Sequence, residues 1–539
     1  MGAGGWEGRR FKFQKGIAKK NGAAPWADTI PLPQPNRSCP LLPAPARLPA
    51  YPLTRLPAYP LTRLPSYPNA LLRFFKSSLP AQLAALLLLL LALRLPLLWL
   101  GLPLTAAELR ALLVGERLHG GAIPYRDLYD GTAPLAAAFF AGLDAVLARP
   151  VWLYRVVALG LLLVQALRLN LVLARYDVHP DRGYITALTY LLVGSISTDL
   201  DALSPLLLGH TFIVFALSAL LPTSREGYDN RRLFRAGFLI GLGALCYLPL
   251  GLFVVVGLFA VVIFAASSFR SSLLLLCGFV FPYALVATLL FYKDALPDFW
   301  HLHLQAGLDD LISSGLPAGL QLRLLIVPML VLAAGLVRAL GTPLGLVFQV
   351  KFRQLMLVWL AVAAAAAAVE RGGAPGALVL LLAPMAYFSL FLWQRDRQHW
   401  WLELVLLLLL NATVVLRYRA YVPRLEALLH MPAESRFGLA PDPRYNALRN
   451  QTLLVLGPDD RPYFNNHPAT PYLDWTLSQG DFGHLNEYAA VVRIAQKMGP
   501  VPPQYLLDQS RLVPRLQQLL PATFGVYEPT STPGLYKRK

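Results

Sequence analysis

Charge is what this chain has least of. Only 14% of its 539 residues are charged, 56% are hydrophobic, and the mean hydropathy is +0.50. A soluble domain averages about 25% charged residues, so composition excludes an ordinary soluble enzyme. Cysteine is scarce as well. Cys39, Cys246 and Cys277 show no CxxC spacing; the last two fall in apolar runs as small packing residues, and none reports a redox compartment. Acidic residues are fewer than basic ones, 30 against 48, leaving a net charge of +18. Cytoplasmic loops and a basic N-terminal tail account for much of that excess, so no nucleic-acid partner is expected.

What the chain has in quantity is apolar runs close to the length of a bilayer span, roughly 20 residues. They predict an α-helical polytopic membrane protein with the lipid bilayer as its main partner. Eleven segments fit: 80–102, 151–174, 184–198, 203–221, 236–247, 248–266, 271–292, 322–340, 354–369, 374–393 and 400–418. Pro249 divides one long run in two. A further segment, 133–148, is short and carries Asp144. If it does not cross, the arginines and lysines at 73, 76, 175, 182, 225, 231, 232, 235, 270, 351, 353, 395 and 397 fall on one side, and the later opposite loops hold only Lys293 and Arg371. If it crosses, the positive-inside rule is broken five times. The expectation is therefore eleven spans, a cytoplasmic N-terminus, and outer loops at 103–150 and 293–320. Segment 133–148 would be re-entrant or interfacial.

The ends differ from the middle. Residues 1–78 form a Pro-rich tail in which RLPAYPLT recurs at 47–54 and 55–62, followed by RLPSYPNA. Such proline density forbids helix and sheet. The tail reads as a ligand for a proline-recognising module, as a linker, or as sequence upstream of the true start at LLRFFKSSLP. At the other end, 419–539 reads as a small outer α/β domain: TLLVLG at 452–457 as a buried strand, LNEYAAVVRIAQKM as an amphipathic helix, GVYE and GLYKRK as strands.

The polar residues cluster outside the runs. GERLHGGAIPYRDLYDGTAPL, 115–135, gathers Glu116, Arg117, His119, Tyr125, Arg126, Asp127 and Asp130 around glycine and proline punctuation. Carboxylates there can take a proton from a hydroxyl, and cations there can hold a phosphate; the alternative is a solvated, mutually paired loop. Asp199 and Asp201 close a span and either face a cavity or sit at a helix end. Lys293 opens the later outer loop, where Asp309 and Asp310 read as solvated. His301 and His303 would share a face in a strand, but no further Cys or His lies nearby, so no metal site is expected. Trp300, Trp393, Trp400 and Trp401 suit interfacial belts. NAT at 411 and NQT at 450 match glycan sequons.

AAELRALLVGERLHGGAIPYRDLYDGTAPL, 106–135, resembles the first outer loop of the GT-C membrane glycosyltransferases: a carboxylate opening a juxtamembrane helix, a Gly, a Tyr-x-Asp and a Pro-Leu. Glu108, Gly120, Gly121, Tyr125, Asp127, Pro134 and Leu135 stand where that pattern wants them. RFFKSSLP, VGERLHGGAIPYRDLYDGTAPLAA, LSPLLLGHTF and LLVLGPD are similar to a family of bacterial multi-pass membrane proteins with no established activity. The GT-C resemblance implies a polyprenyl-phosphate-sugar donor, an acceptor on the outer face of the bacterial plasma membrane, and a loop carboxylate acting as base. A divalent cation is a further candidate cofactor. Ala107 stands where those enzymes carry an Asp beside the Glu, so the base would be Glu108, Asp127 or Asp130. Arg117, His119, Tyr125, Arg126, Asp199, Asp201 and Lys293 would bind substrate. Two other readings stay open: a transporter of a lipid-linked substrate, and a non-catalytic component of an envelope or secretion assembly with protein partners.

Overall fold

The first apolar helix begins where the sequence allows one to begin. Pro80 occupies the first helical position, where its missing N–H costs nothing, and Pro80–Leu100 (α2) runs on to Gly101, which closes it with φ +84°. The computed structural model describes residues 70–179, 183–221, 230–264, 268–306, 320–343, 346–369, 377–393, 400–422, 424, 438–440, 442–445, 448–498 and 502–539. The tail through residue 69, with Cys39, lies outside the described residues. So do Arg182, Arg225, Asp309, Asp310, Arg371, Arg395 and Arg397. All the described residues belong to one compact unit.

After a short helix at Ala70–Lys76 (α1) and α2, the chain forms Ala106–His119 (α3), Pro134–Val146 (α4), Val151–Arg175 (α5), Ile185–Gly194 (α6), Pro205–Leu220 (α7), Asn230–Cys246 (α8), Val254–Phe264 (α9) and Ser268–Tyr292 (α10). Leu296–Phe299 (α11) continues as a π-helix over Trp300–Gln305. Then come Leu320–Gly341 (α12), Val347–Val369 (α13), Leu378–Trp393 (α14) and Trp400–Tyr418 (α15). Five stretches are long and apolar enough to cross a bilayer: Pro80–Leu100, Val151–Arg175, Phe269–Tyr292, Val347–Ala368 and Trp400–Tyr418. Of the other predicted spans, 203–221, 248–266, 322–340 and 374–393 fall on shorter apolar helices. Segment 236–247 is the apolar part of α8, whose first turns carry Arg231, Arg232 and Arg235, and 184–198 is reduced to the ten residues of α6 because Ser195 and the 3-10 turn Thr198–Asp201 leave the helix. Pro249 acts as expected: α8 stops at Cys246, Tyr247 is extended, and a 3-10 turn over Leu248–Phe253 leads into α9.

Segment 133–148 forms α4, 13 residues long, which is about 20 Å of helix. Both of its ends contact the C-terminal part of the chain. Tyr129, just before it, bonds to Pro471, and Arg149, just after it, bonds to the carbonyls of Tyr463, Phe464 and Asn466. Helices α3 and α4 pack back to back, close enough that a Cβ on Gly115 would stand 2.8 Å from the Phe140 carbonyl. A larger residue there would force them apart.

The C-terminal part adds Trp475–Phe482 (α16) and Tyr488–Met498 (α17) to a five-stranded sheet. The sheet comprises Thr452–Leu456 (β3), His467–Pro468 (β4), Tyr505–Asp508 (β5), Tyr527–Pro529 (β6) and Leu535–Arg538 (β7), in the order β4-β3-β5-β7-β6. β3 is parallel to β4 and β5, whereas β7 is antiparallel to β5 and β6. TLLVLG is therefore an interior strand between β4 and β5, with Leu453 to Leu456 buried. Two further pairings tie this sheet domain to the first loop. Leu104–Thr105 (β1) pairs antiparallel with Gly438–Leu439 (β2), and Tyr129 bridges Tyr472.

Three expectations change. FWHLH is a π-helix, so His301 and His303 do not share a strand face: His301 meets Gln305, and His303 is buried against Phe299 and Tyr125. Trp300 and Trp400 are exposed, as a belt requires, but Trp393 is fully buried. Asn411 of the first sequon lies within α15 and bonds back to the Leu407 carbonyl. Of the described cysteines, Cys246 is buried and Cys277 is exposed.

Candidate functional site

Residues 106–135 fold into a lid between the apolar bundle and the sheet domain. Its frame begins at Thr105, whose hydroxyl accepts from the Glu108 N–H at 3.2 Å while the Thr105 N–H donates to Glu108 Oε2 at 2.9 Å. This is a capping box, which satisfies two orphan donors at the start of α3. The other Glu108 oxygen faces Arg155 at 3.4 Å, and the carboxylate is buried. Glu108 is thus committed to holding α3 and α5 together.

Arg110, two residues further along α3, reaches across to the sheet domain. It pairs with Asp460 at 2.8 Å and Asp474 at 3.0 Å. Burial works against its charge, but Asp474 and Asp460 outweigh burial and hold its pKa above the ordinary value. Asp130 lies in the same seam, 7% exposed, accepting from the Thr132 N–H at 3.0 Å. Burial pushes its carboxyl pKa up and Asp474 adds to the push; the Thr132 hydrogen bonds and Arg110 only partly oppose them. Asp460 is raised too, chiefly by burial. Three carboxylates therefore share one arginine, and the excess negative charge favours retaining a proton.

Between α3 and Asp130 the backbone is held under strain. Tyr125 has φ +68°, uncommon for a residue with a side chain. Its ring is buried against Phe299 and His303, and its hydroxyl donates to the Thr132 carbonyl at 2.9 Å. Arg126 and Asp127 pair with each other at 2.9 Å, Arg126 reaching on to the Lys293 carbonyl. At Asp127 partial burial would raise the pKa. The bonds from Arg126 and from the Ile123 N–H reverse that and hold it below the usual carboxylate range. Lys497 from α17 donates to the Arg126 carbonyl at 2.7 Å and lies over the Tyr129 ring. Glu116 is held by Arg149 and His467.

Arg117 differs from these. Among the described residues its guanidinium makes no hydrogen bond or ion pair, although Glu116 and Asp127 lie within electrostatic reach. Burial, the leading cause, lowers its pKa. His119 is exposed at the end of α3, and exposed Lys293 stands beside its neighbour Tyr292.

The fold thus gathers Arg117, His119, Tyr125, Arg126, Asp127, Asp130 and Lys293 on or beside one lid. Asp201 serves elsewhere. It is buried between Arg94 at 2.9 Å and Arg417 at 2.6 Å, two guanidiniums that also donate to the Leu200, Gly194, Leu93 and Ser195 carbonyls. Asp199 belongs to the same short turn. Among the described residues no three His, Cys, Asp or Glu side chains converge as a metal-ligand set.

Sequence reasoning missed Arg110, Arg149, Asp460 and Asp474, because their partners lie hundreds of positions away. It also missed a buried polar knot inside the bundle, where Gln165 joins Tyr190, His210 and Thr211 at 2.7–3.2 Å. The one signal was His210 in LLLGHTF, a titratable group amid apolar residues. No protein-family model matches the chain, and no curated protein matches it either.

Proposed function

We propose that the chain is a bacterial plasma-membrane glycosyltransferase of the GT-C kind, moving a sugar from a polyprenyl-phosphate donor to an acceptor hydroxyl on the outer face. The observation that carries this reading is Asp130: a buried carboxyl with a raised pKa, in a lid that also holds the uncommitted Arg117. A carboxyl whose pKa moves toward neutrality is a better general base. In the proposed step the acceptor oxygen bonds to the anomeric carbon and its proton passes to Asp130. The bond from that carbon to the phosphate oxygen breaks, and the polyprenyl phosphate leaves with the electron pair. Arg117, with Arg126 and Lys293 nearby, would hold the leaving phosphate; the bundle's apolar flank would take the prenyl chain.

The topology that goes with this reading has eleven crossings, a cytoplasmic N-terminus and an extracytoplasmic sheet domain. Helix α4 supports it by beginning and ending on the same domain, and the basic loops support it by their shared side. A second reading, a non-catalytic component of an envelope assembly, draws on a specific observation: Glu108, Asp127 and Asp201 are each already paired within the chain.

The test is a deletion strain complemented with wild type, Asp130→Asn, Asp127→Asn or Glu108→Gln, with lipid-linked sugars and surface glycans read by mass spectrometry. The expected result is a lost glycan or an accumulated donor that well-expressed Asp130→Asn fails to correct, with activity down at least about 100-fold. Unchanged glycans, or restoration by every variant, would overturn the enzyme and favour the assembly component.

A further inference from the structure

At the end of the bundle away from the sheet domain lies a second polar site, built from different residues. Helix α5 starts against the sheet domain through Arg149 and runs 25 residues, about 37 Å. Near its far end Arg168 and Arg175 face Arg232 and Arg235 of α8 across a cavity of about 320 Å³, with Ser218 and Tyr176 between them. That volume is at the lower end of small-ligand sites. Among the described residues no carboxylate lines it.

Arg168, Arg175 and Arg235 lie close enough to repel one another, and guanidiniums gathered in this way call for a counter-anion. Two of the arms are positioned. Arg168 donates to the Ser218 hydroxyl at 2.5 Å and lies over the Phe215 ring, and Arg232 donates to the Tyr176 hydroxyl at 2.9 Å and the Ser218 carbonyl. The other two, Arg175 and Arg235, make no hydrogen bond or ion pair among the described residues. Guanidinium forks match phosphate oxygens better than any other side chain does. One wall of the cavity is Leu171, 60% exposed, and Val164 two turns back along α5 is exposed too. The cavity therefore opens beside an apolar helix face.

We infer that this four-arginine cavity binds a phosphate group, that of an anionic lipid of the adjacent leaflet, with the acyl chains along the Leu171 and Val164 face of α5. The site is separate from the lid and holds whether or not the lid is catalytic.

The test uses delipidated full-length protein in detergent. Its melting is followed on titration with phosphatidylglycerol, with phosphatidylcholine, or with inorganic phosphate and pyrophosphate. Phosphatidylglycerol should raise the midpoint and phosphatidylcholine should not. The Arg175→Gln/Arg235→Gln double variant should need at least ten times more phosphatidylglycerol for the same rise, and Arg175→Lys/Arg235→Lys should recover part of the response. Phenylglyoxal labelling of wild type, read by peptide mass spectrometry, needs no variant: phosphatidylglycerol should protect Arg175 and Arg235. If inorganic phosphate or pyrophosphate protects and the lipid does not, the phosphate site stands and its lipid source is overturned. If neither protects, or the glutamine variant responds like wild type, the inference is wrong.

Discussion

Two regions of this protein solve the problem of buried charge in opposite ways. Inside the bundle two arginines, Arg94 and Arg417, share one aspartate, Asp201. In the seam under the sheet domain one arginine, Arg110, serves three carboxylates, Asp130, Asp460 and Asp474. In the first group the carboxylate is saturated with positive charge, and its guanidiniums also donate to backbone carbonyls of α2, α6 and the turn that follows, so it fixes three segments in place. The second is short of positive charge: burial raises the carboxyls of Asp130 and Asp460, Asp474 adds to it, and one arginine does not reverse the shift. Saturation makes a clamp. A deficit leaves a group that can take up a proton, which is why the seam and not the clamp is the candidate site.

The clamp should give the largest effect. Asp201→Asn removes the shared anion and leaves two buried cations, a loss of about 3–5 kcal/mol. The purified variant should melt far below wild type in detergent, or fail to accumulate. A melting point within a few degrees of wild type would show that the backbone carbonyls alone satisfy the arginines, and the contrast with the seam would collapse.

The seam should respond to acid, and its two titrating neighbours should respond with opposite sign. His303 is held neutral by burial, its pKa down at about 4 although its bond to the Gly131 carbonyl pulls the other way. Its unfolded value is higher, near 6.5. Its contribution is therefore fully present above pH 6.5 and is lost as pH falls toward 4, about 3 kcal/mol in all. Asp130 has a raised folded value. The folded state holds its proton more tightly, so its contribution grows as pH falls through that value toward the ordinary carboxylate value of about 4. Melting curves from pH 7 to pH 4 should show His303→Gln losing less stability in acid than wild type, and Asp130→Asn losing more. Parallel curves for all three proteins would mean that the seam is wetter than its burial implies.

How legible these regions were in the sequence follows from distance along the chain. Helix starts at Pro80, Pro134 and Pro205, and the break at Pro249, depend on neighbours and could be read. So could the buried strand at 452–456, from its apolar run. The lid's residues were legible as a group because they are contiguous. What joins them to the sheet domain was not: Arg110 meets Asp460 and Asp474, 350 and 364 residues away, and no periodicity encodes such a pairing. The shortness of α6 was hidden for a related reason. Ser195 and Thr198 sit in an apolar run, and only Arg94 and Arg417, donating to the carbonyls of Gly194, Ser195 and Leu200, explain why the helix opens there.

Glu108 shows how one residue type can serve two patterns, and it provides the smallest effect and the finest distinction. Thr105-Ala-Ala-Glu108 fits the capping-box spacing as well as the juxtamembrane carboxylate of a glycosyltransferase. The two roles respond differently to the same pair of variants. A capping residue at this position tolerates Gln, which still reaches back to the Thr105 N–H. It does not tolerate Ala, which should cost about 1 kcal/mol at the start of α3. A base tolerates neither, because an amide cannot take the proton. The bonds to Thr105 and the contact with Arg155 predict the first pattern. Glu108→Gln should keep near-wild-type melting and glycan output, while Glu108→Ala should lower the melting point by a few degrees. If Glu108→Gln melts normally but abolishes the glycan, Glu108 rather than Asp130 takes the proton, and the lid's chemistry moves from the seam to the mouth of α3.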